Sequence, residues 1–146
     1  MALSSDLREF LALLNSANVE FVIVGAHSLA FHARPRYTGD LDILVGMDAE
    51  NAAKVVAVLE QFGFGGQFRT ADFIRPDQVI QLGRAPHRID LLTTITGVEA
   101  DDAFATKVPA VLDGIAVHVL SKEALIRNKR ATGRPQDLAD LDLLES

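Results

Sequence analysis

Cysteine is absent from this chain of 146 residues, which excludes disulfide bonds and metal sites built from thiolates. No apolar stretch approaches the length of a membrane-spanning helix, and no basic region followed by an apolar run stands near the N-terminus. We therefore expect no membrane association and a cytoplasmic location. The sequence also lacks internal repeats and low-complexity segments, so it predicts a single domain over residues 1–146.

The composition is that of an ordinary globular protein, with 49% hydrophobic and 23% charged residues. The formal net charge of −6 disfavours non-specific binding to nucleic acid or to anionic membranes. This balance remains compatible with a local basic pocket.

The spacing of apolar residues predicts an α+β domain with a mixed sheet and a helical C-terminal segment over about residues 121–146. Leu138, Leu141 and Leu144 are expected to face the core. Two short strands around a turn at Pro76 and Asp77 are predicted between residues 67 and 83. The other predicted strands cover 19–24, the stretch 36–45 that carries Asp40 and Asp42, 88–94 and 115–120. The predicted helices cover 5–16, 26–33, 48–62, 122–132 and the segment after 134.

The stretch RYTGDLDILV, residues 36–45, places Asp40 and Asp42 two positions apart on a predicted strand. Residues at this spacing point to the same face, with Cβ atoms roughly 6.6 Å apart. Two such carboxylates repel each other unless a cation lies between them, and Mg²⁺ prefers oxygen ligands of this kind. The alternative is a strand whose acidic side chains face solvent.

Gly25, Ala26, His27 and Ser28 directly follow a predicted strand and open a predicted helix. Backbone N–H groups at a helix start bind anions, and glycine lets a phosphate approach the chain closely. This arrangement indicates a phosphate site, although a tight strand-to-helix turn would give the same pattern.

A third acidic residue, Asp90, lies between apolar residues on another predicted strand and therefore needs a cationic partner. That partner is either Arg88, an arginine elsewhere or the same metal ion. Basic residues near the end of the chain either form a solvated helix face or contact a triphosphate. The basic residues in question are Arg127, Lys129, Arg130 and Arg134, with Arg34 and Arg36 nearer the acidic strand.

In this order, the residues resemble the motif of the nucleotidyltransferase superfamily that includes DNA polymerase beta. That motif is a glycine turn, an Asp-x-Asp on the next strand and a third carboxylate on a later strand, here Gly25, Asp40, Asp42 and Asp90. The chain is more closely similar to small stand-alone bacterial nucleotidyltransferase-like proteins, some grouped with abortive-infection and toxin–antitoxin enzymes. The stretches that carry this resemblance are VIVGAHSLAFHARPRYTGDLDILV, QLGRAPHRIDLLTTITGV and LIRNKRATGRPQDLADL.

The resemblance implies transfer of a nucleoside monophosphate from a nucleoside triphosphate, ATP among others, to a protein or RNA hydroxyl. It implies two Mg²⁺ ions, both held by Asp40 and Asp42, with Asp90 holding one of them and serving as a candidate general base. The residues implied to contact the triphosphate are Gly25, Ala26, Ser28, Arg36 and Lys129.

Two other functions compete with this one. The superfamily often has Gly or Ser where this chain has Ala26, and a lost phosphate contact there would leave a non-catalytic nucleotide-binding or antitoxin-like partner module. A metal-dependent phosphohydrolase would use the same carboxylates. Exposed apolar residues at the helical end also leave room for a homodimer.

Overall fold

A computed structural model of the protein describes residues 4–33, 39–84 and 87–145. It confirms the expected α+β fold with a mixed sheet and a helical C-terminal end. Within these ranges, none of the helices is both long and apolar enough to cross a bilayer. The helices are α1 (Ser5–Ser16), α2 (Gly25–His32), α3 (Ala49–Leu59), α4 (Ala100–Ala105), α5 (Lys122–Thr132) and α6 (Pro135–Glu145). The strands are β1 (Phe21–Val24), β2 (Leu41–Val45), β3 (Val79–Leu82), β4 (Ile89–Leu92), β5 (Val108–Leu112) and β6 (Ile115–Val119).

The strands form a sheet of order β3-β4-β2-β1-β6-β5, so β2 lies near its middle. Strand β2 pairs antiparallel with β1 and parallel with β4. In this register Asp42 is opposite Val24 on one side and Asp90 on the other. The sheet therefore brings the predicted carboxylates next to the end of β1, where α2 begins.

Both faces of the central strands are covered, which explains why these strands are nearly continuous apolar runs. Ile23 and Ile43 pack in one core with Leu7 of α1 and Val55 of α3. The alternate residues of the same strands pack in a second core with α2 and α5. Since neighbouring strand residues point to opposite faces, the helices divide into two layers around the sheet.

Local capping confirms the predicted starts of two helices. The hydroxyl of Ser4 accepts a hydrogen bond from the backbone N–H of Leu7, at 3.3 Å, at the start of α1. The hydroxyl of Ser121 accepts one from the N–H of Ala124, at 3.1 Å, at the start of α5. These contacts satisfy N–H groups that have no partner within the helix itself.

The region after α3 differs from the sequence prediction. In place of two strands between 67 and 83, the chain forms a 3-10 helix over Thr70–Phe73 and the single strand β3. Asp72 stabilises the short helix by accepting from the N–H of Arg69 at 2.8 Å, and the side chain of Phe73 anchors it in the core. Predicted helix 48–62 ends at Leu59 and continues as a π-helical turn.

Three features near the C-terminal half were wrong or missing in the prediction. Helix α4 and strand β5 were not predicted. Leu141 and Leu144 are buried as expected, but Leu138 is 53% exposed because it lies on the outer side of α6.

Candidate active site

The turn between β1 and α2 brings the backbone against a carboxylate. Gly25 has φ +67°, a conformation that L side chains rarely adopt. A Cβ atom placed there would lie only 2.2 Å from Oδ2 of Asp42. Both the conformation and the close approach therefore require glycine, and the turn holds the start of α2 beside the Asp42 carboxylate.

The other predicted residues of this turn are placed differently. Ser28 is fully buried, and its hydroxyl donates a 2.9 Å hydrogen bond to the carbonyl oxygen of Gly25. Its hydroxyl therefore stabilises the turn from inside. Ala26 is the second residue of α2, so its N–H belongs to the first turn, where backbone donors have no partner within the helix. Burial lowers the pKa of the neighbouring His27 imidazole, which favours its neutral form.

Asp42 and Asp90 form the centre of the site. They are register partners on the parallel strands β2 and β4, and Asp90 is buried. Burial, followed by the charge of Asp90 and a hydrogen bond with it, raises the pKa of Asp42 to about 6; Asp40 adds to this and Arg88 opposes it. Such a pair gains stability from a proton or from a cation.

Arg88, immediately before β4, places a guanidinium beside these carboxylates. Its Nε donates to Oδ1 of Asp90 at 2.9 Å, and a terminal amino group donates to Oδ2 at 3.2 Å. The same guanidinium lies 3.5 Å from Oδ2 of Asp40, and the N–H of Arg88 donates to Oδ1 of Asp40 at 3.3 Å. The hydrogen bonds and charge of Asp90 raise the pKa of Arg88. Of the partners predicted for Asp90, the structure therefore shows Arg88.

The acidic donors suit Mg²⁺, which prefers carboxylate oxygens and completes its coordination with water. However, in residues 4–33, 39–84 and 87–145, no three His, Cys, Asp or Glu side chains are arranged as a ready-made metal site. Arg88 lies among the three predicted ligands and bonds to both oxygens of Asp90. The carboxylate oxygens therefore suit a divalent ion chemically, but those of Asp90 already accept hydrogen bonds from Arg88.

A cleft of about 1160 Å³ opens from Gly25 and Asp42 toward α5. Sites for drug-sized ligands measure about 300–1,000 Å³, so this cleft is large enough for a ligand of that size. Arg127, Asn128 and Arg134 line its opposite wall. Sequence reasoning included both arginines in its basic cluster but missed Asn128, whose amide donates to the carbonyl oxygen of Thr96 at 2.8 Å.

Lys129, predicted to contact the triphosphate, is buried between α5 and α6. Its Nζ lies 3.4 Å from Oδ1 of Asp137 and 3.1 Å from Oδ2 of Asp140. Residue 129 is one helical turn after the buried Leu125 and so shares its inward face, whereas Arg127 faces the cleft. The structure thus assigns Lys129 to helix packing. This four-residue spacing was the sequence signal that could have revealed it.

Arg36 lies outside the described residues, so its predicted contact with the phosphates stays a prediction. Among the other predicted site residues, the structure brings together Gly25, Asp40, Asp42 and Asp90. This group spans the end of β1, the start of β2 and β4.

A mixed sheet that presents paired carboxylates beside a glycine turn defines the class of nucleotidyltransferase folds. Solved structures agree. The chain is similar to the lincomycin-bound lincosamide antibiotic adenylyltransferase LnuA, with TM-score 0.61, 17% identity, and coverage of 100% of this chain and 99% of that one. It is also similar to ANT(2″)-Ia in complex with adenylyl-2″-tobramycin, with TM-score 0.57, 17% identity, and coverage of 94% and 84%. An antigenic nucleotidyltransferase-like protein from Paracoccidioides brasiliensis matches with TM-score 0.52, 16% identity, and coverage of 99% and 78%.

The chain belongs to the family described as "Nucleotidyl transferase of unknown function (DUF2204)", whose sequence model matches residues 3–146. Membership makes it an enzyme of nucleotidyl transfer with a nucleoside triphosphate as substrate. No curated protein sequence matches the chain significantly. The solved structures are too different in sequence to show more than the shared fold.

Proposed function

We propose that this enzyme transfers a nucleoside monophosphate from a nucleoside triphosphate to an acceptor hydroxyl, in a reaction that requires Mg²⁺. The observation that carries the proposal is the register pairing of Asp42 with Asp90 beside the Gly25 turn. Asp42 itself lines a cleft of about 1160 Å³, which would have room for the nucleotide and the acceptor.

The triphosphate would bind between the two walls of the cleft. On one wall, the backbone N–H groups of Gly25 and Ala26 belong to the first turn of α2, where the helix dipole favours anions. On the other wall, Arg127 and Arg134 would neutralise phosphate charge. Both are paired with aspartates, but their side chains stay 51% and 73% exposed, which leaves donors for a ligand. Arg36 stays a proposed further phosphate partner.

Asp40, Asp42 and Asp90 are the residues that would hold Mg²⁺, with two ions expected. When bound, Mg²⁺ stabilises the entering and leaving oxygens of such a displacement. The acceptor oxygen forms a bond to the α-phosphorus while the bond from that phosphorus to pyrophosphate breaks. A carboxylate takes the proton of the acceptor hydroxyl, and we assign this role to Asp90.

Two different lines of argument suggest candidate acceptors. The sequence resemblance suggests a hydroxyl on a protein or an RNA. A small hydroxylated molecule is the second candidate, because two of the similar structures contain lincomycin and adenylyl-2″-tobramycin. The net charge of −6 disfavours RNA relative to the other two classes.

Transfer can be tested with each α-labelled nucleoside triphosphate and Mg²⁺, offering cell protein, cell RNA or a panel of small hydroxylated compounds. We expect label on one acceptor class together with released pyrophosphate. Asp42→Asn should lower the rate at least about a hundredfold, since it removes a charge at the reacting centre. Asp142→Asn is the matched control, because it makes the same change at an exposed position on α6.

Equal labelling by the wild-type protein and Asp42→Asn would contradict the proposal. Nucleotide binding that is independent of Mg²⁺ and survives Asp42→Asn, without any labelled acceptor, would instead support the non-catalytic binding module. Pyrophosphate or phosphate release with water as the acceptor would support a phosphohydrolase.

A further inference from the structure

Arg88 contacts carboxylate oxygens that would bind the metal ion in the proposed reaction. Both oxygens of Asp90 accept from its guanidinium, at 2.9 and 3.2 Å, and Oδ2 of Asp40 lies 3.5 Å away. A divalent ion would have to approach these same oxygens. Asp90 therefore cannot bind a metal ion while both of its oxygens keep their hydrogen bonds to Arg88.

The charges explain why an arginine is favourable here before any metal arrives. Three carboxylates lie close together, and Asp90 is buried. A buried carboxylate that lost its cation would be strongly destabilised. Arg88 supplies one positive charge and a planar fork that matches a carboxylate.

The contact of Arg88 with Asp40 and Asp90 lies where it can be broken without disturbing the fold. The Arg88 side chain is 33% exposed and reaches the carboxylates from the position just before the start of β4. Its guanidinium can therefore move toward solvent without any change in the sheet. Asp42 and Asp90 would keep their register, because the pairing of β2 with β4 fixes it.

We propose that Arg88 is a built-in counter-cation that competes with the divalent metal for Asp40 and Asp90, so that metal binding displaces its guanidinium. This rests on the proposed function, because it takes these carboxylates as metal ligands. Arg88 would hold the carboxylates together in the metal-free enzyme and would lower the affinity for metal in the absence of nucleotide. It acts through the ligands and is a positioning residue.

The competition can be tested by measuring how tightly the full chain binds Mn²⁺ in the absence of nucleotide. The EPR signal of the unbound ion reports the fraction that has not bound. Arg88→Met removes the charge and keeps an apolar stem of similar length, and we expect it to bind Mn²⁺ at least about tenfold more tightly than the wild-type protein. Arg88→Lys keeps the charge but loses the fork, so its affinity should be intermediate. Arg8→Met is the matched control, because it removes an exposed arginine that contacts Asp113 between β5 and β6, at the other end of the sheet from β4. Its Mn²⁺ affinity should equal that of the wild-type protein.

Thermal unfolding gives a second readout that does not depend on activity. Metal-free Arg88→Met should unfold at a lower temperature than the wild-type protein, and Mn²⁺ should raise its unfolding temperature by more than it raises the wild-type value. Equal Mn²⁺ affinity in wild type and Arg88→Met would overturn the competition and leave the proposed reaction standing. Mn²⁺ binding to neither protein would overturn the competition together with the metal site of the proposed function.

Discussion

The backbone at Gly25 and the carboxylate of Asp42 lie in such close contact that a methyl group at position 25 would stand 2.2 Å from Oδ2. The turn before α2 and the acidic strand β2 therefore constrain each other. A phosphate bound at the start of α2 would lie beside this carboxylate. The contact makes the glycine a requirement of the site as well as of the fold.

Gly25→Ala should abolish nucleotidyl transfer and lower stability. The left-handed conformation costs an L residue roughly 1–2 kcal/mol, and the Asp42 side chain must also move away. Gly65→Ala is a suitable control, since Gly65 has an ordinary φ of −55° and nothing lies within 4 Å of an added Cβ. Transfer assays and chemical unfolding measure both effects. Full activity in Gly25→Ala would show that the close approach has no role in the reaction.

Asp42→Asn should stabilise the metal-free protein at alkaline pH. The pKa of Asp42 is about 6 in the folded protein, against 3.8 for the unperturbed group. The folded state thus binds the extra proton between about pH 4 and pH 6, and stability falls as the pH rises through this window. Asparagine carries no charge, so the variant avoids this loss of stability at high pH. We expect its free energy of unfolding to be higher by about 1–2 kcal/mol, after allowance for the partial exposure of Asp42.

Urea unfolding in the presence of EDTA checks this prediction at pH 4 and pH 8. We expect a gain for Asp42→Asn at pH 8 and little at pH 4, while Asp142→Asn shows no such contrast. A gain of the same size at both pH values would mean that titration of Asp42 is not its cause.

Asp137→Asn should destabilise the helical end. Asp137 is buried, accepts from the side chain and N–H of Arg134, and lies beside Lys129. The hydrogen bonds from Arg134 hold the pKa of Asp137 well below its usual value. Its stabilising effect is therefore complete above about pH 4 and declines as the pH falls further.

We expect the free energy of unfolding to fall by about 3 kcal/mol at pH 7, because the variant removes a negative charge from beside the buried ammonium group of Lys129. Glu145→Gln breaks an exposed pair with Arg130 and should cost less than about 1 kcal/mol. Unfolding curves at pH 7 and pH 3 should show the Asp137→Asn difference shrinking with acid. A loss that is independent of pH would point to packing alone.

Arg127→Gln and Lys129→Met separate the two faces of α5. Arg127 lines the cleft, so its loss should weaken nucleotide binding by about tenfold through one charge-assisted contact. Lys129 contacts Asp137 and Asp140 instead, so Lys129→Met should lower the unfolding temperature and leave nucleotide affinity within about twofold. Calorimetry well below the unfolding temperatures measures both. The reverse pattern would restore Lys129 as a phosphate ligand.

The sequence predicted the parts of the fold that depend on local signals. Helices α1 and α5 were predicted from apolar spacing, and both begin where expected, at the serine caps described above. Helix α4 has six residues, too few for a helical period to be recognised. Strand β5 is an edge strand with a proline at Pro109, and that residue argues against a strand in a sequence pattern.

The candidate site was predicted as far as chain order allows. The motif of a glycine turn and three aspartates predicted that Asp42 and Asp90 come together, and they are register partners in the sheet. Their role as metal ligands stays a prediction. The contact of Arg88 with Asp90 is local, because residues two positions apart on a strand share a face. The contact of Arg88 with Asp40 depends on the register of β2 and β4, which the order of residues does not contain. The burial of Lys129 likewise depends on the packing of α6, which supplies its acidic partners.

The parallel pairing of β2 with β4 joins residues far apart in the chain, as the contact between Asp40 and Arg88 shows across 48 positions. During synthesis, a ribosome would release Asp40 and Asp42 well before Arg88 and Asp90. The nascent chain therefore cannot gather these charged groups until β4 has emerged and closed that long loop. The candidate site consequently cannot assemble before β4 is synthesised, and a shorter nascent chain would carry Asp40 and Asp42 without the charge of Arg88.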